Sequence, residues 1–515
     1  MSIIPNISEK CKGAMLGTAI GDALGWPNEP RSKNTKKNIE INDSFVRWTR
    51  NNRNPRWHYE IINPGEYSDD TQITLSVARS LLTGDWESFF ANKELPFWLN
   101  YERGGGGALL RAAKCYKKKG LPPWKANISK QYFNAGGNGA TMRILPHVIT
   151  FADCSNTGDL INDIIKDTLI THGHPRAFLG ATCYGFLLYY LLKKDTLLEY
   201  GELVDAALNS TGLWGKFPDE QFFSDWLDAA YESCEYDFYH EWINTRDHMI
   251  EQLHMIKSSL GKGLVVKDKE VLTKLECFGA ANGAGDVAIL SAIYLASKYA
   301  NNPVMGIKVP AFSFGADTDT IASITGGLVG MINGTFWIPL EWNLVQDYDC
   351  LINIVDMLLS RGHTEFLKEN NHLSGSNLKD WRYTPIGKME LIETLEIPNG
   401  KMGYLLIKKW RSLLGQTIYT KEFEAITLNL KTNDEDSLLE NKRSAKTVGE
   451  VFMLKINDID DLLKDSKFKK KITFGKVLRI ISCLLTESKT HESIAIEFNV
   501  DISFINKISN YIAKN

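Results

Sequence analysis

Cysteine is scarce and scattered in this sequence: its 515 residues include eight cysteines, and no two of them form a Cys-x-x-Cys pair. That spacing indicates neither a disulfide framework nor a zinc site, and it is typical of a reducing compartment. Residues 1–10 lack a basic leader followed by a long apolar core, and no apolar run approaches the roughly 18 residues of a membrane span. We therefore expect a cytoplasmic protein with no membrane partner.

A strong net charge is missing as well. The formal net charge of -3 gives no overall attraction to nucleic acid. Hydrophobic residues make up 43% of the chain and charged residues 23%, which is typical of a folded globular protein rather than a disordered one. Because 515 residues exceed the usual size of one compact core, we expect two domains, at 1–375 and 376–515.

Lysine and arginine are absent from residues 310–334, although Asp317 and Asp319 lie in that stretch. Small and apolar residues follow Thr320 and predict a buried helix. Ionised carboxylates removed from water are strongly destabilising unless they are paired or bound to a metal. The two carboxylates therefore need a positive charge from outside the stretch.

A second acidic cluster, at Ser68, Asp69 and Asp70, opens another helical pattern earlier in the chain. Ser68 is a natural N-cap, which places both aspartates in the first turn, near the positive end of the helix dipole. Two helix starts that offer carboxylate and hydroxyl oxygens without Cys or His favour Mg²⁺ or Mn²⁺ over zinc. We predict that the clusters share such a cation; two ordinary capped helix starts are the alternative.

Two glycine-rich stretches predict different things. Gly137, Asn138 and Gly139 precede an apolar helical pattern, where exposed backbone amides can cradle a diphosphate. Phe133, just upstream, is a candidate to stack on adenine, although such a turn can also be purely structural. The four glycines after Arg103 lack the Gly-Lys-Ser/Thr ending of a phosphate-binding loop, so they predict a flexible turn.

The first helical pattern, at residues 8–25, is rich in small residues. Gly17, Gly21 and Gly25 would allow a neighbouring backbone to approach closely. Asp22 lies inside this helix. It is either an internal hydrogen-bond acceptor that ties adjacent loops together or a direct contact to a metal or substrate.

Five motifs in order resemble one known family. The motifs are GTAIGDALGWPNE at 17–29, YSDDT at 67–71, GNGATMR at 137–143, THGHP at 171–175 and DTDT at 317–320. They resemble those of the ADP-ribosylglycohydrolases, also called ADP-ribosyl-acceptor hydrolases. The resemblance implies an all-α catalytic domain, an orthogonal helical bundle, at 1–375. A smaller, mainly helical C-terminal domain would follow at 376–515.

The resemblance also implies the reaction. A metal-dependent hydrolase would cleave the bond at ribose C1″ and release ADP-ribose from a modified acceptor, which could be arginine, serine, a nucleic-acid base or a small molecule. Two Mg²⁺ or Mn²⁺ ions would be bound by Ser68, Asp69, Asp70, Asp317, Asp319 and Thr320.

Further site residues follow from the same resemblance. Glu29, in a loop after Pro27, corresponds to a mobile glutamate near the scissile bond, so the implied catalytic residues are Glu29, Asp69 and Asp317. The predicted substrate-binding residues are Phe133, Gly137, Asn138, Gly139, Met142 and His172. His174 is expected to be structural. The loop at 280–286 corresponds in place to a family loop near the ligand, but its residues depart from the expected pattern.

The C-terminal part gives a separate prediction. Residues 490–512 hold two helical patterns around a break at Asp501, in the order of a helix-turn-helix. A basic block lies upstream and contains Lys467, Lys469, Lys470, Lys471, Lys476 and Arg479. Nucleic acid is therefore one predicted partner, and a hairpin used for packing or dimerisation is the alternative.

Two other functions remain open from the sequence. The chain could be an ADP-ribose-binding regulator with a DNA-binding C-terminal domain, or a neutralising partner that shields the target of an ADP-ribosyltransferase. A pure binding protein has no need of six oxygen ligands at two helix starts, and this favours the hydrolase.

Overall fold

The computed structural model describes residues 4–29, 44–52, 58–360, 382–398, 403–425, 480, 484, 490–498 and 500–514. The chain forms two compact units, Met1–Thr427 and Leu428–Asn515. Within the described residues, no helix is both long enough and apolar enough to cross a membrane.

The described elements are mainly helical, as predicted. The α-helices are α1 Ile7–Gly25, α2 Asp69–Leu81, α3 Trp86–Phe89, α4 Leu95–Trp98, α5 Gly107–Lys119, α6 Ser129–Phe133, α7 Leu145–Thr150, α8 Thr157–Leu169, α9 Pro175–Lys193, α10 Glu202–Asn209, α11 Thr211–Trp214, α12 Glu220–Ser233, α13 Phe238–Leu260, α14 Asp268–Lys274, α15 Gly285–Lys298, α16 Pro303–Ala311, α17 Thr318–Asn333, α18 Tyr348–Leu359, α19 His491–Glu497 and α20 Ile502–Lys514. The strands are β1 Trp48–Asn52, β2 His58–Ile62, β3 Arg382–Thr384, β4 Gly387–Pro398, β5 Gly403–Ser412 and β6 Thr417–Ala425.

Helices α1 and α17 pack against each other in antiparallel orientation with almost no space between their backbones. A Cβ atom added to Gly17 would lie 2.2 Å from the carbonyl oxygen of Gly326, and one added to Gly21 would lie 2.2 Å from that of Ala322. Residues four apart share one face of a helix, so these small residues form a continuous seam. The predicted close approach is confirmed, and it brings the end of α1 to the start of α17.

The core of the first unit surrounds α17, which contacts α1, α9, α15 and α16. Most residues of α17 are buried, as expected of a helix that is apolar on all sides. Its first turn therefore lies deep in the protein, where carboxylates are exposed to little water.

A four-stranded antiparallel sheet in the order β3-β4-β5-β6 also belongs to the first unit. Its buried face joins an apolar cluster with α2 that includes Ile73, Val77, Ile386, Met389, Trp410 and Ile418. The two compact units divide after Thr427, whereas the sequence predicted a division after residue 375; the sheet belongs to the first unit because it buries apolar side chains against the helices. Residues 382–425 were predicted to belong to a mainly helical domain and are largely strands.

The second unit contains α19 and α20, which flank the predicted break at Asp501. The Asp501 carboxylate accepts a hydrogen bond of 2.8 Å from the Ser503 amide. Nδ1 of His491 lies 2.8 Å from Oδ1 of Asn506, which links the two helices. The basic block at 467–479 lies outside the described residues, and DNA binding stays a prediction.

Candidate active site

Asp22 ties the end of α1 to the start of α2. It is fully buried, and its carboxylate accepts hydrogen bonds from the Ser68 amide at 2.9 Å, the Thr71 amide at 3.0 Å and the Thr71 hydroxyl at 2.7 Å. Burial raises the pKa of Asp22, and these hydrogen bonds oppose that rise. The side chain thus serves as the internal acceptor that was one of its two predicted roles.

The start of α2 has the predicted cap. The Ser68 hydroxyl accepts a hydrogen bond of 3.2 Å from the Asp70 amide, and Asp69 and Asp70 form the first turn. Gly104 closes one side of Asp69: its φ is +108°, and an added Cβ would lie 2.7 Å from Asp69 Oδ1. Sequence reasoning missed Gly104, although a run of four glycines is a signal for positive φ or close backbone approach.

The start of α17 meets the start of α2. Asp317 occupies the N-cap position, and the Thr318 hydroxyl donates to the Gly25 carbonyl at 2.8 Å. The Thr320 hydroxyl donates to Asp70 Oδ2 at 3.4 Å, which joins the two acidic clusters directly. Helix starts far apart in sequence therefore lie together, as predicted.

Glu29 completes the group. It follows a short helical turn at Trp26–Asn28, which Asn28 anchors by donating to the Ala311 carbonyl at 2.8 Å. One carboxylate oxygen from each of Glu29, Asp317 and Asp319 lies within 4.8 Å of the other two. Glu29 and Asp317 are partly exposed, whereas Asp319 is buried.

The carboxylates of the two helix starts are buried close to one another, which makes their ionised forms costly. Burial, followed by the negative charges of neighbouring carboxylates, raises the pKa of Asp69, Asp70 and Asp319 well above the ordinary value. Oδ1 of Asp70 is buried and has no hydrogen-bond partner among the residues that the structure describes. An unpaired buried oxygen among carboxylates and hydroxyls fits a hard divalent cation such as Mg²⁺ or Mn²⁺.

The glycine loop lies beside the acidic cluster. The Asn138 side chain donates to Asp317 Oδ2 at 3.0 Å, and the Asn138 amide donates to the Gly283 carbonyl at 2.9 Å. The Gly285 amide donates in turn to the Gly136 carbonyl at 3.0 Å. The loop at 280–286, whose role the sequence left open, therefore supports the glycine loop next to Asp317.

His172 lies behind the glycine loop. It is 2% exposed, and a Cβ added to Gly139 would lie 3.2 Å from its ring. Burial lowers the pKa of His172 to about 3, so its imidazole is neutral near pH 7. Arg143 fastens the same loop by donating to the Gly139 carbonyl at 2.9 Å.

His174 is the N-cap of α9. Its Nδ1 accepts a hydrogen bond of 3.2 Å from the Arg176 amide, and Pro175 is the first helical residue. This is the structural role expected for His174.

Two of the predicted substrate-binding residues, Phe133 and Met142, have buried side chains in this structure. Phe133 is fully buried among Tyr132, Trp226 and Phe238, so neither face of its ring is open for an adenine base. Met142 is 2% exposed, and its side chain packs in the apolar cluster between α2 and the sheet. Both side chains pack among apolar residues here, and their predicted role in substrate binding stays a prediction.

Comparison with known proteins agrees with this geometry. The sequence model of the ADP-ribosylglycohydrolase family matches residues 4–367. The glycohydrolase of Rhodospirillum rubrum that is named for ADP-ribosyl-dinitrogen reductase is 28% identical over 193 residues, which cover 36% of this chain and 60% of that protein. ADP-ribosylhydrolase ARH3 of Xenopus tropicalis is 23% identical over 356 residues, covering 65% of this chain and 89% of that protein.

Two further proteins also match parts of this chain. The ADP-ribosylarginine hydrolase Tri1 of Serratia proteamaculans is 27% identical over 203 residues, covering 36% of this chain and 48% of that protein. The matched region thus spans less than two thirds of the Rhodospirillum and Serratia proteins. A solved chain of an ADP-ribosylglycohydrolase-related protein complex is 19% identical, with a TM-score of 0.46, over 69% of this chain and 99% of that chain. Because the family match covers more than half of the sequence, the chain belongs to the ADP-ribosylglycohydrolase family of glycosyl-bond hydrolases.

Proposed function

We propose that this protein is a metal-dependent hydrolase that removes ADP-ribose from a modified acceptor by cleaving the bond at ribose C1″. The observation that carries the proposal is the junction of two acidic helix starts, where the Thr320 hydroxyl reaches Asp70 and three carboxylates converge within 4.8 Å. Family membership supports the same reaction class.

The proposed metal ligands are Ser68, Asp69, Asp70, Asp317, Asp319 and Thr320. Their oxygen donors fit two divalent cations of the Mg²⁺ or Mn²⁺ type, and the unpaired Oδ1 of Asp70 supports this assignment. Such cations, when bound, supply positive charge that polarises coordinated oxygens and stabilises negative charge.

Glu29 is the proposed general base. It is partly exposed beside Asp317 and Asp319, so its carboxylate can reach water and substrate. Hydrolysis forms a bond between the water oxygen and C1″ and breaks the bond between C1″ and the acceptor. Glu29 takes the proton that the water loses, and the leaving acceptor receives a proton.

The glycine loop is the proposed diphosphate site. The backbone amides of Gly137 and Gly139 would bind phosphate oxygens, because the Asn138 amide already donates to the Gly283 carbonyl. The Asn138 side chain positions Asp317 through the hydrogen bond of 3.0 Å. His172 supports the loop as a neutral ring, so we assign it a positioning role and no proton transfer.

The first acceptor to test is ADP-ribosylarginine, because one relative is named for its hydrolysis. The experiment incubates the full chain with ADP-ribosylated arginine, serine, nucleic acid and a small alcohol, with Mg²⁺ or with excess EDTA. Mass spectrometry follows free ADP-ribose and unmodified acceptor. We expect one acceptor to be released with Mg²⁺ and none with EDTA.

A matched control is Asp225→Asn, which removes an exposed carboxylate that belongs to neither acidic cluster and should keep full activity. Undiminished hydrolysis in EDTA would contradict the metal assignment. ADP-ribose binding without turnover of any acceptor would favour the regulator instead.

A further inference from the structure

Strand β6 contacts two buried glutamates, Glu60 and Glu66, of which Glu66 lies two residues before Ser68 of the candidate active site. The strand lies beyond residue 367, the last residue of the family match. The Lys421 ammonium donates to Glu60 Oε2 at 2.8 Å, and the Tyr419 hydroxyl donates to Glu66 Oε1 at 2.6 Å. Both acceptors are buried carboxylates of the first unit. The sheet thus contributes polar contacts as well as apolar packing.

Arg103 joins these two carboxylates. Its Nε donates to Glu60 Oε1 and a terminal nitrogen donates to Glu66 Oε2, both at 2.8 Å. The Tyr419 ring covers the guanidinium, with 3.9 Å from Cζ to the ring centroid. The charged side chains of Glu60, Glu66, Arg103 and Lys421 are between 2% and 7% exposed. We call these four residues and Tyr419 the Arg103 network.

The Arg103 network is continuous with the side of the site around Asp69. Gly104, the residue after Arg103, lies against Asp69 Oδ1, and Glu66 comes two residues before the Ser68 cap. The Arg103 amide also donates to Gln72 Oε1 in α2 at 3.2 Å. The Arg103 guanidinium therefore anchors both segments next to Asp69, the one from Glu66 to Ser68 and the one from Arg103 to Gly104.

The balance of charge in the network depends on the sheet. Burial alone would raise the pKa of Glu60, but Lys421 and Arg103 hold it below its usual range. Without Lys421, Arg103 would have to neutralise two buried carboxylates with the help of Arg50, whose contact to Glu60 is 3.6 Å. Removing one partner of a buried ionic group is strongly destabilising for those that remain. We expect Arg103, which contacts both carboxylates, to shift in response.

We propose that the β3–β6 sheet is a positioning element of the active site, in which Lys421 and Tyr419 hold Arg103 so that Gly104 and the Ser68 cap confine Asp69. The inference rests on the proposed function, because Asp69 is there a metal ligand. Its consequence is that residues outside the family match set the affinity of the site for divalent cations.

The test measures Mn²⁺ binding to the metal-free full chain by isothermal titration calorimetry, so that the readout does not depend on turnover. Lys421→Met removes the ammonium and keeps most of the aliphatic stem. We expect it to weaken Mn²⁺ binding by about tenfold or more, as loss of supporting contacts to a metal ligand commonly does. Lys421→Arg should restore most of the affinity.

The matched control is Lys408→Met in the same sheet, which loses only an ion pair of 2.7 Å to the more exposed Glu422. It should bind Mn²⁺ like the wild type. If Lys421→Met is unfolded at the assay temperature, Tyr419→Phe decides in its place, with binding about threefold weaker because one hydrogen bond to a buried carboxylate is lost.

The outcomes separate this inference from the proposed function. Wild-type affinity in folded Lys421→Met, or a loss equal to that of Lys408→Met, would overturn the positioning role and leave the proposed function intact. If the wild-type chain itself bound no Mn²⁺ and hydrolysed no acceptor, the proposed function would be wrong and this inference with it.

Discussion

Glu29 differs from Asp69, Asp70 and Asp319 because it is only partly buried and follows a short turn instead of opening a helix. We predict that Glu29→Gln lowers kcat by about 10²- to 10⁴-fold, the range of a lost general base. ADP-ribose affinity, measured by calorimetry, should stay close to that of the wild type. Glu341→Gln, an exposed carboxylate elsewhere, is the control. A large loss of affinity with unchanged kcat would make Glu29 a binding residue.

The buried carboxylates predict how stability depends on pH. Burial and neighbouring charges raise the pKa of Asp69, Asp70 and Asp319, so the folded state holds their protons more tightly than the unfolded state does. Their stabilising contribution is complete below the unfolded pKa and is lost as pH rises through the raised values. A divalent cation bound to these carboxylates would take the place of the protons. The gain in Tm on adding Mg²⁺ to protein in chelator should therefore grow as the pH rises from the ordinary carboxylate pKa through the raised pKa values of these groups.

Burial lowers the pKa of His172 to about 3 and that of His174 to about 4, so both rings stay neutral in the folded protein at higher pH. Their titration in the unfolded chain cancels when melts with and without Mg²⁺ are compared, so the difference in Tm reports the carboxylates. In Asp319→Asn, the gain in Tm on adding Mg²⁺ should increase less with pH than it does in the wild type. A gain in Tm that is the same at every pH would show that protons and cation do not compete for this cluster.

A site residue could be predicted from the sequence when the pattern that defines its role lies within a few neighbouring residues. A capped helix start is predicted by three consecutive residues, Ser68, Asp69 and Asp70, and the structure has a helix that begins there. Phe133 gave no such signal, because an aromatic residue before a glycine loop can face a ligand or the core. Its core partners Trp226 and Phe238 lie on later helices, so the sequence near Phe133 could not show which side it takes.

The close packing of α1 against α17 predicts that one added methyl group between them lowers the stability of the protein. Gly21→Ala would place a Cβ 2.2 Å from the carbonyl oxygen of Ala322, a backbone atom that cannot turn away. The helices would have to separate, and we expect the free energy of unfolding in urea to fall by about 1–3 kcal/mol. Gly212→Ala in α11 meets nothing within 4 Å and should be neutral or slightly stabilising. Equal stability of the two variants would contradict the close packing of the seam.

The four-stranded sheet was missed because its strands do not alternate cleanly. In β4 the register shifts between Leu391 and Glu393, so a bulge interrupts the period of two. In β5 both Leu405 and Leu406 are buried, and adjacent apolar residues favour a helix as readily as a strand. The Asn-Gly pair at 399–400 was the available hairpin signal. The helices, by contrast, combine long periodic patterns with caps, which is why their starts were predictable.

Because the first compact unit extends to Thr427, it predicts which C-terminal truncations leave a folded, active protein. A chain ending at 375 loses the sheet, and with it the contact of Gln416 with Arg79 and that of Lys421 with Glu60, which are buried. We predict that it precipitates or unfolds and shows no turnover, whereas a chain ending at Thr427 keeps both stability and activity. Circular dichroism melts and acceptor hydrolysis compare the two. Full activity of the shorter chain would show that the sheet is dispensable and that the domain division at 375 was right.

The central claim, that carboxylates from two helix starts form one divalent-cation site that is required for hydrolysis, is tested most directly by turnover of the acceptor after metal removal. Full-length wild type, Asp69→Ala and Asp317→Ala are stripped with EDTA, exchanged into metal-free buffer and titrated with Mn²⁺. We predict that wild-type release of ADP-ribose is absent at first and returns with Mn²⁺, and that both variants remain inactive while circular dichroism shows them folded. Turnover by the stripped wild type, or by either folded variant at the wild-type rate, would contradict the claim.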